Sequence, residues 1–238
     1  MKILCVSDQI DPLIYNQNVL KAFPDIDLIL CAGDLPMDYI DFIVSTFNKP
    51  TYFIFGNHNL NEFRYYANRR PPVAAQYIPA SDTGPSHGAT YAGFRVIRDK
   101  MLSFEDPVTH KKTPLLIAGV SGSLRYNNGL DQYTDRDMYF HLLRMSFSLI
   151  MNKIRYGRYV DIFLTHASPR HVHDMEDPCH RGFECFNWFI RKFQPAYLVH
   201  GHIHLYDLRT ERISPVGSTT VVNAYAHCVL EFPKENPS

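Results

Sequence analysis

The chain has 238 residues, 45% hydrophobic and 20% charged, which is ordinary for a globular fold and long enough to enclose a substantial core as one domain spanning 1–238. Lys+Arg and Asp+Glu each number 24, so zero formal charge removes the electrostatic case for a nucleic-acid or anionic-membrane partner. Asp8 cuts the opening MKILCVSD too early for a signal-peptide core, no later run has the length of a membrane span, and five cysteines without CxxC spacing point to a reducing cytoplasm.

Taken in chain order, KILCV, DLILCA and TYFIF read as strands. Their apolar runs are continuous rather than alternating, as expected for strands buried on both faces. Between them, YNQNVLKAF and MDYIDFIVSTF have helical character, the second placing Tyr39, Ile40, Ile43, Val44 and Phe47 along one face. Residues 68–113 carry RRPP and SDTGPSHG and read as an irregular, loop-rich segment in which only TYAGFRVI is strand-like. PLLIAGV is a further strand, and residues 134–154 form the clearest helix, with Thr134 as N-cap and Asp137 three residues on. VDIFL, a helix over GFECFNWFIRKF, and AYLV follow. Alternating strand and helix predicts a largely parallel α/β sheet. LYDLRTERI, TTVVNAY and HCVLEF then read as short strands of an antiparallel section. Cys5, Cys31 and Cys228 lie in apolar runs as small buried hydrophobes; Cys179, in EDPCHRGF, is given no role.

The residue just past each buried run carries the functional signal. KILCVS ends in Asp8, DLILCAG in Asp34, TYFIFG in Asn57-His58, VDIFLT in His166, and AYLVHG in His202 and His204. A lone Asp after a strand is usually a helix cap and a lone His usually a satisfied one, but five such ends form a set. In open α/β sheets this carboxyl edge is where ligands bind. Carboxylates, an amide and imidazoles suit Mn²⁺, Fe or Zn²⁺ rather than a thiolate-type ion. Their number exceeds one tetrahedral ion, which points to two adjacent ions able to clamp a phosphoryl displacement.

This ordered set resembles the signatures of the calcineurin-like metallophosphoesterases, with Gly33-Asp34, Gly56-Asn57-His58, His166 and Gly201-His202-Ile203-His204 in the family's order and Asp8-Gln9-Ile10 at its first motif. The motifs span residues 8–204, and SGSLRYNNGLDQYT with THASPRHVHDMEDPCHRGF resembles a bacterial-type branch. The resemblance implies a four-layer α/β/β/α sandwich with the site at the carboxyl ends of its strands. It implies that Asp34 bridges two divalent or transition-metal ions. Asn57, His166 and His202 would complete one ion's ligands, and Asp8 and His204 would belong to the other. It further implies hydrolysis of a small phosphoester, a phosphodiester before a monoester, by a metal-bound hydroxide, with His58 stabilising the phosphoryl group or protonating the leaving oxygen.

Ile10 departs from the pattern, which has a histidine ligand there. Water, Gln9 or Asp11 fills the gap, or the first ion binds weakly, or one ion suffices. Asp11 is expected instead to cap the turn at Asp11-Pro12. The competing reading is a catalytically degenerate scaffold for protein binding, and a purely structural metal site is a third. Substrate contacts are sought at Ser121-Gly122-Ser123 with Arg125, where small-residue N–H groups and a guanidinium suit an anion. Arg170, His171, His173, His180 and Arg181 are further candidates unless Asp174, Glu176 and Asp177 pair with them, and His87 is a weaker one. His200 is expected to support a ligand by hydrogen bonding. The sequence leaves open which oligomer forms, a homodimer among them.

Overall fold

The computed structural model describes residues 1–67, 88–105, 111–127, 129–207 and 209–233. The apolar runs become the centres of two sheets. In order along the chain the elements are β1 (Lys2–Ser7), α1 (Val19–Ala22), β2 (Ile26–Cys31), α2 (Met37–Phe47), β3 (Thr51–Phe53), α3 (Phe63–Ala67), β4 (Thr90–Tyr91), β5 (Arg95–Glu105) and β6 (Lys112–Gly119). There follow β7 (Ser123–Leu124), β8 (Gln132–Tyr133), α4 (Asp135–Tyr156), β9 (Ile162–Leu164), α5 (Glu184–Phe193), β10 (Tyr197–His200), β11 (Ile213–Val216), β12 (Thr219–Asn223) and β13 (Ala226–Glu231). One sheet runs β13-β1-β2-β3-β4 and the other β11-β12-β10-β9-β6-β5, with β7-β8 as a small ribbon.

Burial on both faces explains why the runs do not alternate. Ile3, Cys5, Leu28 and Leu30 meet Leu115, Ile117, Ile162, Leu164 and Val199 in a core between the sheets. The intervening residues Leu4, Val6, Ile29 and Cys31 turn outward onto Val19, Tyr39, Ile40 and Ile43. On the far side Ala118, Phe163 and Leu198 pack against Met138 and Leu142 of α4 and Phe186 and Phe189 of α5. Three apolar interfaces thus separate four layers, helix, sheet, sheet and helix, as expected. No helix among the described residues is long and apolar enough to cross a membrane.

Local chemistry sets several boundaries. Thr134 accepts from the Asp137 N–H at 3.1 Å while the Asp137 carboxylate accepts from the Thr134 N–H at 3.2 Å, so the expected cap is a reciprocal box. The helix predicted over YNQNVLKAF shrinks to α1, because Asn16 Oδ1 accepts from the Asn18 N–H at 2.8 Å and closes a turn before it. The loop-rich reading of 68–113 is corrected at β5, an eleven-residue edge strand antiparallel to β6. Its polar, half-exposed pattern concealed it. Among the described residues of LYDLRTERI, strand pairing begins only at Ile213. The C-terminal section is mixed, since β11 pairs antiparallel with β12 and β13 with β1, while β12 lies parallel beside β10.

Candidate metal centre

Four loops leave the carboxyl ends of β2, β3, β9 and β10 and converge. Asp34 and Asn57 arrive from one sheet, His166 and His202 from the other. The Gly201 N–H donates to the His166 carbonyl at 3.0 Å and the Asp8 N–H to the Gly33 carbonyl at 3.1 Å, which ties neighbouring loops together. One potential ligand atom from each of Asp34, His166 and His202 lies within 4.8 Å of the others. His166 Nε2 is 3.3 Å from Asp34 Oδ2 and 3.2 Å from Asn57 Oδ1. Asn57 Nδ2 donates to the Tyr126 hydroxyl at 3.2 Å, which keeps its carbonyl oxygen turned toward the cluster.

The backbone is arranged for this convergence. Asp8, Asp34 and His202 have φ of 65°, 56° and 68°, left-handed conformations that side chains adopt at some strain. Gly56 is needed for space: a Cβ there would lie 2.5 Å from His166 Nε2 and nearer still to Asp34 Oδ1. The fifth motif uses Gly201 likewise, where a Cβ would come within 2.5 Å of Asp8 Oδ2.

Hydrogen bonds decide which ring nitrogens face the centre. His166 Nδ1 lies 2.9 Å from the Ala32 carbonyl, which only accepts, so Nδ1 carries the proton. His202 Nε2 lies 2.6 Å from the Cys179 carbonyl and must donate, leaving Nδ1 as its lone pair. In neutral His166 the Nε2 lone pair then faces the oxygens of Asp34 and Asn57. Three acceptors turned toward one another require a proton or a cation between them. Without a cation, a proton takes the place: burial alone would depress His166, but the Asp34 carboxylate outweighs it and lifts the imidazole to about 9. The reverse holds at Asp34, where burial is overcome by His166 and by the 2.7 Å bond from the His58 N–H, and the carboxyl stays well below its usual range. Burial and the neighbouring His166 push His202 down to about 3, which keeps its lone pair free. These residues fit a hard-to-borderline divalent ion.

Asp8 and His204 do not join the three-residue cluster. Both Asp8 oxygens accept from the His202 N–H, at 2.9 and 3.0 Å, and burial raises the Asp8 carboxyl. His204 Nδ1 bonds the Tyr206 hydroxyl at 2.8 Å, and its ring stands 4.9 Å from that of Tyr225. Ile10 is exposed. Asp11 caps the turn by accepting from the Leu13 N–H at 2.8 Å and pairs with His227, so both its oxygens are engaged. Gln9 Oε1 accepts from the Tyr225 hydroxyl at 2.7 Å. His58 is exposed, beside Asn57 at the rim.

The sequence-predicted substrate contacts are dispersed. The Gly122 N–H donates to Phe55, that of Ser123 to Asp131 and that of Arg125 to Tyr133, so this loop has no free N–H cradle at those residues. Ser123 is fully buried, and the exposed Arg125 stands 3.7 Å from Asp137. Arg170 is held by Asp174 at 2.6 Å and by Glu176 at 2.8 Å, the pairing its neighbours in sequence allowed. His171 stands 3.9 Å from Glu184 and His180 pairs with Asp177. His200 bonds the Gly201 carbonyl and His173, at 2.9 Å each, rather than a candidate ligand. His87 lies outside the described residues.

Sequence reasoning missed Tyr126, which orients Asn57. It also missed Asp131, buried beside the cluster with its carboxyl raised to about 8 by burial. Cys179 was passed over too, yet its carbonyl positions His202, and its thiol joins Asp177 and His180 in a second group of potential ligand atoms within 4.8 Å of one another. The D-x-C-H spacing at 177–180 was the available signal.

Among solved structures, the fold is similar to the crystal structure of TT1561 of Thermus thermophilus. The TM-score is 0.57 at 16% identity over 94% of this chain and 88% of that one. A second solved structure matches with a TM-score of 0.58 at 14% identity, over 96% of this chain and 94% of its own. At such identities the likeness is one of fold. No curated protein sequence matches the chain. The profile of the calcineurin-like phosphoesterases matches residues 1–206, a span that takes in all four converging loops. The chain therefore belongs to the calcineurin-like phosphoesterase family, whose chemistry is metal-dependent hydrolysis of phosphoesters.

Proposed function

We propose that this centre hydrolyses a small phosphodiester with two ions of the Mn, Fe or Zn class, in a cytoplasmic protein whose five cysteines are free thiols. The observation that carries the metal reading is the facing of His166 Nε2, Asp34 Oδ2 and Asn57 Oδ1, three acceptors that a cation would satisfy together. His202 would complete that ion's ligands through Nδ1. Asp8 and His204 would hold the second ion, more weakly because Ile10 offers no donor. Bound ions would supply Lewis-acid stabilisation of the phosphoryl oxygens and acidify a water.

The remaining steps belong to the side chains. Asp34, held ionised, would span both ions, while Tyr126 keeps the Asn57 carbonyl turned inward. His58, anchored through its backbone N–H to Asp34 yet exposed at the ring, would protonate the leaving oxygen. A diester is favoured over a monoester by charge. Arg170 is neutralised by two carboxylates and Arg125 stands near Asp137, so these cations offer little to a second phosphate charge.

Turnover of a chromogenic phosphodiester after Mn²⁺ loading tests this reading, with metal content measured on the same sample. About two ions per chain, and a loss of about 10²–10⁴-fold in kcat for His58→Ala at unchanged metal content, are expected. One ion or fewer without turnover would favour the scaffold reading, for which the separation of Asp8 and His204 from the cluster speaks.

A further inference from the structure

The helix α4 is apolar on two opposite sides. Met138, Leu142, Met145 and Leu149 face the protein and are buried. Phe140, Leu143, Phe147, Ile150, Met151 and Ile154 occupy the other side and are all exposed, Phe147 by 73% and Ile154 by 72%. The positions 140, 143, 147, 150 and 154 follow the alternating three- and four-residue spacing of a helix-pairing seam, which a solvated face has no reason to keep. The seam is about 20 Å long at the rise of an α-helix. It offers roughly 600 Å² of apolar surface, at the top of what the largest patch on a monomer reaches.

We propose that α4 is the interface of a homodimer, in which two copies pair antiparallel about a two-fold axis passing Phe147. The stripe is largely its own complement. Reversal about residue 147 sets Phe140 against Ile154, Leu143 against Met151, and Phe147 against itself, as an isologous contact requires, and lays Ile150 against the aliphatic stem of Arg144. Charge agrees with the direction. The first turn carries Asp135 and Asp137 with Arg136 between them, and the last carries Lys153 and Arg155, so antiparallel copies bring the carboxylates of each helix's first turn to the basic end of the other. Asp137 of one copy then neighbours Arg155 of the second on the same flank, twice by symmetry, and the helix dipoles oppose. A parallel pairing would set like charges together. Doubling the patch gives about 1,200 Å², at the lower end of specific interfaces. The seam lies away from the converging loops and uses no candidate ligand.

The full-length protein should run in light scattering at twice 27.5 kDa at micromolar concentration. Phe147→Glu should halve the mass while metal content and turnover stay as in the parent. Arg155→Glu should shift the dimer's midpoint to higher concentration. Because Phe147→Glu touches an exposed site only, its melting temperature checks that the fold is intact. Phe147→Cys provides an independent arm. Mild oxidation should link two copies through residue 147, whereas Met101→Cys, more exposed still but off the stripe, should give no more cross-link than the parent. A monomeric parent, a dimer indifferent to Phe147→Glu, or equal cross-linking at 101 and 147 would each overturn the proposal. So would a monomer that floats with anionic vesicles and loses that binding on Phe147→Glu, which would assign the stripe to a membrane surface.

Discussion

At the residue scale, the candidate centre depends on what is small or strained as much as on what ligates. Gly56→Ala would drive a methyl against Asp34 and His166 in a site with no room to yield. The expected result is a destabilisation of about 1–3 kcal/mol in thermal melts and a clear loss of metal uptake in titration; unaltered binding would show that the loop relaxes. Asp131 makes a different prediction. Its Oδ1 accepts from Tyr133 at 2.8 Å, but its Oδ2 is buried without a hydrogen-bond partner. Burial raises the carboxyl from 3.8 to about 8, so between those values the folded chain keeps a proton that the unfolded chain releases. Stability from this group therefore falls as pH rises through that window and levels off above it, by an amount on the order of a few kcal/mol. Asp131→Asn removes the slope. In metal-stripped protein its melting temperature relative to the parent should climb steadily from pH 5 to pH 8, and a pH-independent difference would contradict the buried, proton-holding carboxyl.

At the element scale, what was legible followed from local chemistry and what was hidden followed from context. The box at Thr134 is complete in four residues of sequence, and Thr134→Ala should cost about 1 kcal/mol, read as a small drop in melting temperature with metal content unchanged. Strands β1, β2, β6, β9 and β10 were readable because both faces are buried, which leaves continuous apolar runs. Strand β5 was not, because an edge strand with half-exposed side chains owes its pairing to β6 rather than to its own pattern. The candidate ligands were readable in the same way as the strands, since each stands one turn past an apolar run. Their partners were not. Nothing in the neighbourhood of Tyr126 or Cys179 announces that one orients Asn57 and the other His202, because those contacts join residues 69 and 23 positions apart. Arg170 shows the converse: its three carboxylate bonds come from residues four and six positions away, and the sequence alone held that alternative.

At the scale of the whole molecule, the candidate centre is a joint between the two sheets. Asp34 and Asn57 follow β2 and β3 of one sheet, His166 and His202 follow β9 and β10 of the other, and His166 already crosses the gap to the Ala32 carbonyl. An ion held by all four would tie the sheets together only in the folded chain, because the unfolded chain separates ligands up to 168 positions apart, from Asp34 to His202. Linkage then gives about 2.7 kcal/mol at a hundredfold excess over the dissociation constant, which for a chain of this size is a rise of about 5–10 °C. Chelator-treated protein should melt lower by that amount and recover on adding Mn²⁺. In His166→Ala, which removes a ligand from one sheet, and in Asp34→Asn, which weakens one from the other, the ion-dependent part of the rise should vanish. If either variant keeps the full metal-induced rise, the ion does not bridge the sheets through that residue. Loss of the rise in both, with none in Phe147→Glu, would separate this joint from the helix surface on the outside of the fold.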